Sequence, residues 1–173
     1  MVAIMSDNAD ELNQQIEEEM TKAYIGGLMD GSGTVVAQVR KDDDYALGYT
    51  IQTRIQLVRK KPFSIQMIDD WTAKNGIYAT IRQYEEKYEF EISRLRDVSM
   101  FCEKMAPYVQ DRLYEFELMS EEIIPRMKEE VHLSDEEGFV EVVELIDELR
   151  EESISPIGNT KYTAEYFKDL WDL

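Results

Sequence analysis

Between Asp10 and Asp30 the apolar positions Leu12, Ile16, Met20, Ala23 and Gly27 recur at spacings of three and four residues, the period of one helix face. The run closes in Asp30-Gly31-Ser32-Gly33, where two glycines among short polar residues predict a helix stop and a tight turn. The period then changes to two. Thr34 to Arg40 sets Val35, Ala37 and Val39 against Val36, Gln38 and Arg40, and Lys41-Asp42-Asp43-Asp44 reads as a polar turn. Tyr49 to Arg59 alternates more cleanly, with Tyr49, Ile51, Thr53, Ile55 and Leu57 opposite Thr50, Gln52, Arg54, Gln56 and Val58. The first set is expected to face the core and the second to form a polar sheet face.

Pro62 to Lys74 reads as a helix with proline in its first turn, Phe63, Ile65, Met67, Ile68 and Trp71 to bury, and Asn75-Gly76 to end it. A second hairpin is expected over Ile77 to Tyr84 and Lys87 to Ser93, turning at Glu85-Glu86. Helical spacing returns over Asp97 to Met105 and Tyr108 to Lys128, the latter bent at Pro125. Ser134-Asp135-Glu136-Glu137 reads as a capping box opening a helix to Glu152, with Phe139, Val143, Ile146 and Leu149 on its apolar stripe. The tail from Ser153, containing Pro156, Gly158 and Asn159, is expected to dock loosely. The predicted order is α-β-β-α-β-β-α-α-α, an α+β domain.

Composition places this chain among folded proteins, with 43% hydrophobic residues across 173 positions. The single Cys102 excludes an internal disulfide framework, and the lone His132, with no acid or nucleophile beside it, leaves no Cys/His cluster for zinc. The acidic, polar start and the absence of a long apolar run predict a soluble cytoplasmic protein with no membrane partner and no small-molecule cofactor.

A net charge of −18 argues against nucleic acid when taken as a whole. Taken by segment it does not. Residues 1–21 hold six acids and no base, residues 22–112 thirteen acids against fourteen bases, and residues 113–173 eighteen acids against five bases. Between Asp44 and Asp69 no acid occurs, while Arg54, Arg59, Lys60 and Lys61 all fall there. The acidic excess reads as solvated helix faces and as adaptation to a salty interior. The natural division is an acidic N-terminal extension with the start of the first helix (1–21), a central unit (22–128), and an acidic helical extension with its tail (129–173).

Tyr24-Ile25-Gly26-Gly27-Leu28-Met29-Asp30-Gly31-Ser32-Gly33-Thr34, leading straight into a strand, resembles the signature of the single-motif LAGLIDADG homing endonucleases. Ala37-Gln38-Val39, the Asn75-Gly76 helix end and Pro107-Tyr108-Val109 ahead of Arg112 fit the same pattern, so the resemblance covers roughly residues 22–128. It implies an αββαββα fold whose four antiparallel strands form a saddle, followed here by C-terminal helices. It also implies a homodimer joined through the motif helices at Tyr24, Gly26, Gly27, Leu28 and Asp30, gripping a long pseudo-palindromic site on double-stranded DNA. Two helices approach backbone to backbone only where side chains are absent, which is what adjacent glycines supply. On the polar sheet face, Gln38, Arg40, Thr50, Gln52, Arg54 and Gln56, joined by Arg82 from the second hairpin, are candidate DNA contacts. Arg pairs bidentately with guanine and Gln with adenine, and a two-stranded ribbon enters the major groove. Lys60 and Lys61, with Arg59, are candidate phosphate clamps.

By the same resemblance, cleavage uses Mg²⁺ held by the acid just before the motif's last glycine. That position is Ser32. A neutral hydroxyl is a poor Mg²⁺ ligand, so metal affinity is expected to fall sharply, leaving the Gly31 carbonyl and, as a fallback, Asp30. Arg112 occupies the position of the family's basic pocket residue, expected to stabilise charge on the phosphate, with Arg59 as a further polar member of the pocket. Two outcomes follow: a divalent-metal DNA endonuclease, or a cleavage-inactive descendant acting as a sequence-specific regulator or maturase-like factor.

Overall fold

The computed structural model describes residues 2–153 and 161–173. A long first helix, α1 (Val2–Ser32), passes directly into β1 (Gly33–Lys41), and β2 (Tyr49–Arg59) returns antiparallel to it. The helix α2 (Pro62–Lys74) crosses to the hairpin β3 (Thr80–Tyr84) and β4 (Lys87–Ile92). Strand β4 then pairs with β2, giving one antiparallel sheet in the order β1-β2-β4-β3. The chain continues through α3 (Leu95–Met105), a 3₁₀ turn (Ala106–Tyr108), α4 (Leu113–Glu117), a π-helical turn (Leu118–Ile123) and α5 (Ile124–Lys128). It ends in α6 (Val131–Ser134), α7 (Glu136–Glu152) and α8 (Ala164–Trp171). The αββαββα arrangement with C-terminal helices is therefore as the sequence predicts.

One hydrophobic core lies on the sheet face formed by Val35, Ala37, Val39, Ile51, Ile55, Leu57, Phe90 and Ile92. Against it pack Ile65, Ile68 and Trp71 of α2, Val98 and Phe101 of α3, and Phe139, Val143 and Ile146 of α7. The period-two alternation is what allows this, since it leaves the opposite face of each strand free to be polar. No helix among the described residues is long and apolar enough to cross a membrane.

Several local expectations are corrected. Helix α1 begins at Val2 rather than Asp10 and needs no left-handed glycine to end: among the described residues, positive-φ glycines are Gly48 and Gly76. Gly33 instead makes room for its own helix, because a Cβ there would collide with the Met29 side chain. Phe63 is 80% exposed rather than buried. The helix foreseen from Tyr108 starts only at Leu113, and the irregularity foreseen at Pro125 falls just before it, in the wider π turn. Asp135, not Ser134, caps α7: its carboxylate accepts from the Gly138 amide at 2.7 Å, while the Ser134 hydroxyl donates to the Val131 carbonyl.

The tail is corrected as well. Pro156, Gly158 and Asn159 lie outside the described residues, but α8 docks firmly, with Phe167 fully buried among Tyr49, Phe139, Tyr162 and Trp171. The hydroxyls of Tyr49 and Tyr166 meet at 3.4 Å, and that contact pushes the Tyr49 phenol up to about 12.

Candidate functional site

The polar face is built by strand register. Gln38 lies opposite Gln52, Arg40 opposite Thr50, Val36 opposite Arg54 and Thr34 opposite Gln56, so every residue expected on this face of β1 and β2 is there. Arg40 and Gln52 are exposed, Gln38, Arg54 and Gln56 half-buried, and Thr50 buried. With its amide oxygen turned toward Arg40, Gln38 accepts from the guanidinium Nε and Nη2 at 2.9 Å each, which braces that arginine over the strand. Arg54 Nε is buried without a partner. No carboxylate rises from β1 or β2 on this face.

The second hairpin carries a different chemistry on the same face. Glu91 pairs in register with Gln56 and Glu89 with Val58, which places both carboxylates beside the β2 residues. Arg82 stands opposite Glu89 and lies 3.8 Å from that carboxylate and 3.7 Å from Glu91. Gln56 donates its amide to Glu91 at 3.1 Å. Sequence reasoning named Arg82 and Gln56 but missed Glu89 and Glu91, although their parity with buried Phe90 and Ile92 was there to be counted.

At the end of α1 the two neighbouring glycines part company. Gly26 is buried, and a Cβ on it would run into the backbone carbonyl of Tyr108 in the same chain. It serves its own subunit, which corrects its place in a seam between subunits. Gly27 is exposed with open space above it, as is Gly31. Tyr24 is 51% exposed, and Leu12, Ile16 and Met20 continue the open stripe at 56%, 49% and 68% exposure. Leu28 packs partly against the core.

Beyond the motif, Asp30 is held by its own chain. Its carboxylate accepts from the Gln110 amide at 2.9 Å and from the Arg112 amide at 3.2 Å. Arg112 is 3% exposed, donates from Nε to the Met29 carbonyl at 2.7 Å and pairs with buried Glu115 at 3.2 Å. It is therefore turned inward and neutralised, not presented to a phosphate, and the expectation for it is corrected. Arg59 moves the other way. Its Nη1 donates to the Ser32 hydroxyl at 3.0 Å, so two residues far apart in the chain meet where α1 and β2 both end.

The donor set does not fit Mg²⁺. Ser32 brings a neutral oxygen already engaged by a cation, and the carboxylate of Asp30 is occupied by backbone amides. Among the described residues no group of three or more His, Cys, Asp or Glu side chains is placed to hold a metal ion. Elsewhere, burial of His132 in α6 lowers its pKa, and burial pushes the Cys102 thiol up, which keeps that thiol protonated and unreactive.

No protein-family model matches the sequence, and no curated protein matches it. Solved structures do. The homing endonuclease I-CvuI, in complex with a DNA target, superposes with a TM-score of 0.74 at 20% identity, over 90% of this chain and 95% of that one. An archaeal intron-encoded homing endonuclease complexed with DNA gives 0.75 at 21% identity, over 90% and 98%. The LAGLIDADG homing endonuclease I-SmaMI, bound to cleaved DNA, gives 0.65 at 15% identity, with 88% of this chain spanning 47% of that protein. The fold is that of the LAGLIDADG homing endonucleases.

Proposed function

We propose that this chain is a sequence-specific double-stranded DNA-binding protein that acts as a homodimer on a long pseudo-palindromic site, a cleavage-inactive relative of the endonucleases whose fold it shares. The observation that carries this is the polar face of β1 and β2, where Gln38, Arg40, Gln52, Arg54 and Gln56 stand in register with no carboxylate among them. Such a ribbon matches the donor and acceptor code of the major groove. Dimerisation is supported by the open stripe of α1. Its side chains grow from Gly31 and Gly27 through Ala23 to Met20, Ile16 and Leu12, which suits two helices that touch at the glycines and diverge. The inactive reading is supported by three residues: Ser32 offers no carboxylate to a metal ion, the Asp30 carboxylate is taken by backbone amides, and Arg112 is turned inward onto Glu115.

The test is selection of bound sequences from a random duplex library at several salt concentrations, followed by incubation of the selected DNA with Mg²⁺ or Mn²⁺. The expected result is an enriched pseudo-palindrome that stays intact, bound by a particle of twice the 20.3 kDa chain mass in sedimentation. Staggered double-strand ends would instead establish the endonuclease, and absence of enrichment at every salt concentration would remove DNA as the partner.

A further inference from the structure

The end of a 31-residue helix is the negative end of its dipole, and it draws a cation. Here the chain provides its own. Arg59 reaches from the end of β2 to the last residue of α1 and donates one N–H to Ser32, which leaves the rest of its donor fork unclaimed by that bond. No carboxylate among the described residues lies within ion-pair distance of Arg59, Lys60 or Lys61, whereas the neighbouring acids are each satisfied, Asp30 by two amides and Glu115 by Arg112. Lys60 and Lys61 follow directly at an exposed turn.

We propose that Arg59, held by Ser32 as its positioning residue, takes the place of a divalent cation at the helix end and binds a backbone phosphodiester of the DNA directly, so that DNA binding is independent of metal. This rests on the DNA-binding reading above and deepens it. A guanidinium suits the task because its planar fork matches two phosphate oxygens, and it neutralises charge without activating a water as a bound metal does. Ser32 fits the same logic: a carboxylate at position 32 would claim the guanidinium as an ion pair, whereas a hydroxyl orients it and leaves its charge for the phosphate.

The experiment measures affinity for a selected duplex by fluorescence anisotropy, in EDTA and in Mg²⁺ at matched ionic strength, for the full chain and three variants. The unaltered protein is expected to bind equally in both. Arg59→Gln is expected to weaken binding roughly tenfold or more, by loss of a charge-assisted hydrogen bond. With two phosphates lost per homodimer, the slope of log K against log salt should shrink by about 2. Arg59→Lys should keep the slope while losing part of the affinity, which separates charge from folding. Ser32→Asp should weaken binding in EDTA and recover it with Mg²⁺. Binding by the unaltered protein that requires Mg²⁺, or an Arg59→Gln protein with unchanged affinity and slope, overturns the inference while DNA binding stands. A protein that binds no duplex in either buffer overturns the DNA-binding reading and this inference together.

Discussion

The two hairpins of the sheet share one core and one polar face but not one chemistry. On β1 and β2 the face carries amides and guanidinium groups, the side chains that read base edges, with Arg40 braced by Gln38. On β3 and β4 the guanidinium of Arg82 sits within 3.8 Å of two carboxylates, and Gln56 is drawn across from β2 to Glu91. A phosphate-rich ligand is attracted to the first ribbon and meets on the second a network of one guanidinium against two carboxylates, which is net negative. Fold alone therefore does not say which part of such a face binds; the local balance of charge does.

The largest expected effect breaks the comparison by removing what the two ribbons share. Phe90 is fully buried where β4 meets β2. Phe90→Ala is expected to destabilise the whole domain by about 3–5 kcal/mol, through lost burial and the cavity left behind. Denaturant unfolding followed by circular dichroism checks it. A cost confined to the second hairpin, with β1 and β2 unfolding separately, would show that the ribbons do not share a core.

A smaller effect sharpens the contrast. Arg54→Ala, on the ribbon without carboxylates, is expected to cost about 1–3 kcal/mol of DNA binding in each half-site and to relax base preference at one position. Arg82→Ala is expected to cost less than about 0.5 kcal/mol, since an exposed arginine paired to carboxylates brings little net charge to a phosphate. Competition binding with selected and single-base-changed duplexes measures both. Equal losses would mean that the Arg82 network opens when DNA arrives.

How much of this was legible in the sequence depended on the range of the interaction. The strand Tyr49–Arg59 and the helix Pro62–Lys74 appear with the boundaries foreseen, because alternation, a first-turn proline and Asn75-Gly76 are local signals that the core reinforces. The docking of α8 was hidden: Tyr162, Tyr166, Phe167 and Trp171 form an aromatic group only when folded back against Tyr49. Gly26 and Gly27 look alike in sequence yet point about 100° apart on a helix, and only the position of Tyr108 tells which faces inward. Arg112 was misjudged for the same reason. Its partners Met29 and Glu115, set by the fold, turn the side chain into the core. The meeting of Ser32 with Arg59 is likewise a product of the fold, since 27 residues separate them.

The smallest effect isolates the cause of the contrast. If Glu91 quiets the second ribbon, Glu91→Gln should tighten DNA binding a few-fold at low salt, because one negative charge per copy leaves the face and Gln56 and Arg82 lose a carboxylate partner. The gain should shrink as salt rises, since counterions screen the repulsion between this carboxylate and the approaching phosphates. Arg82→Ala made on top of Glu91→Gln should then cost more than it does alone, by roughly 0.5–1 kcal/mol, the coupling expected of residues in one network. Anisotropy titrations of the four proteins in this cycle supply the number. Additive losses would mean that Glu89 alone is enough to hold Arg82, and a looser complex in the Glu91→Gln protein would mean that the carboxylate itself contacts a base, as an acceptor for a cytosine amino group.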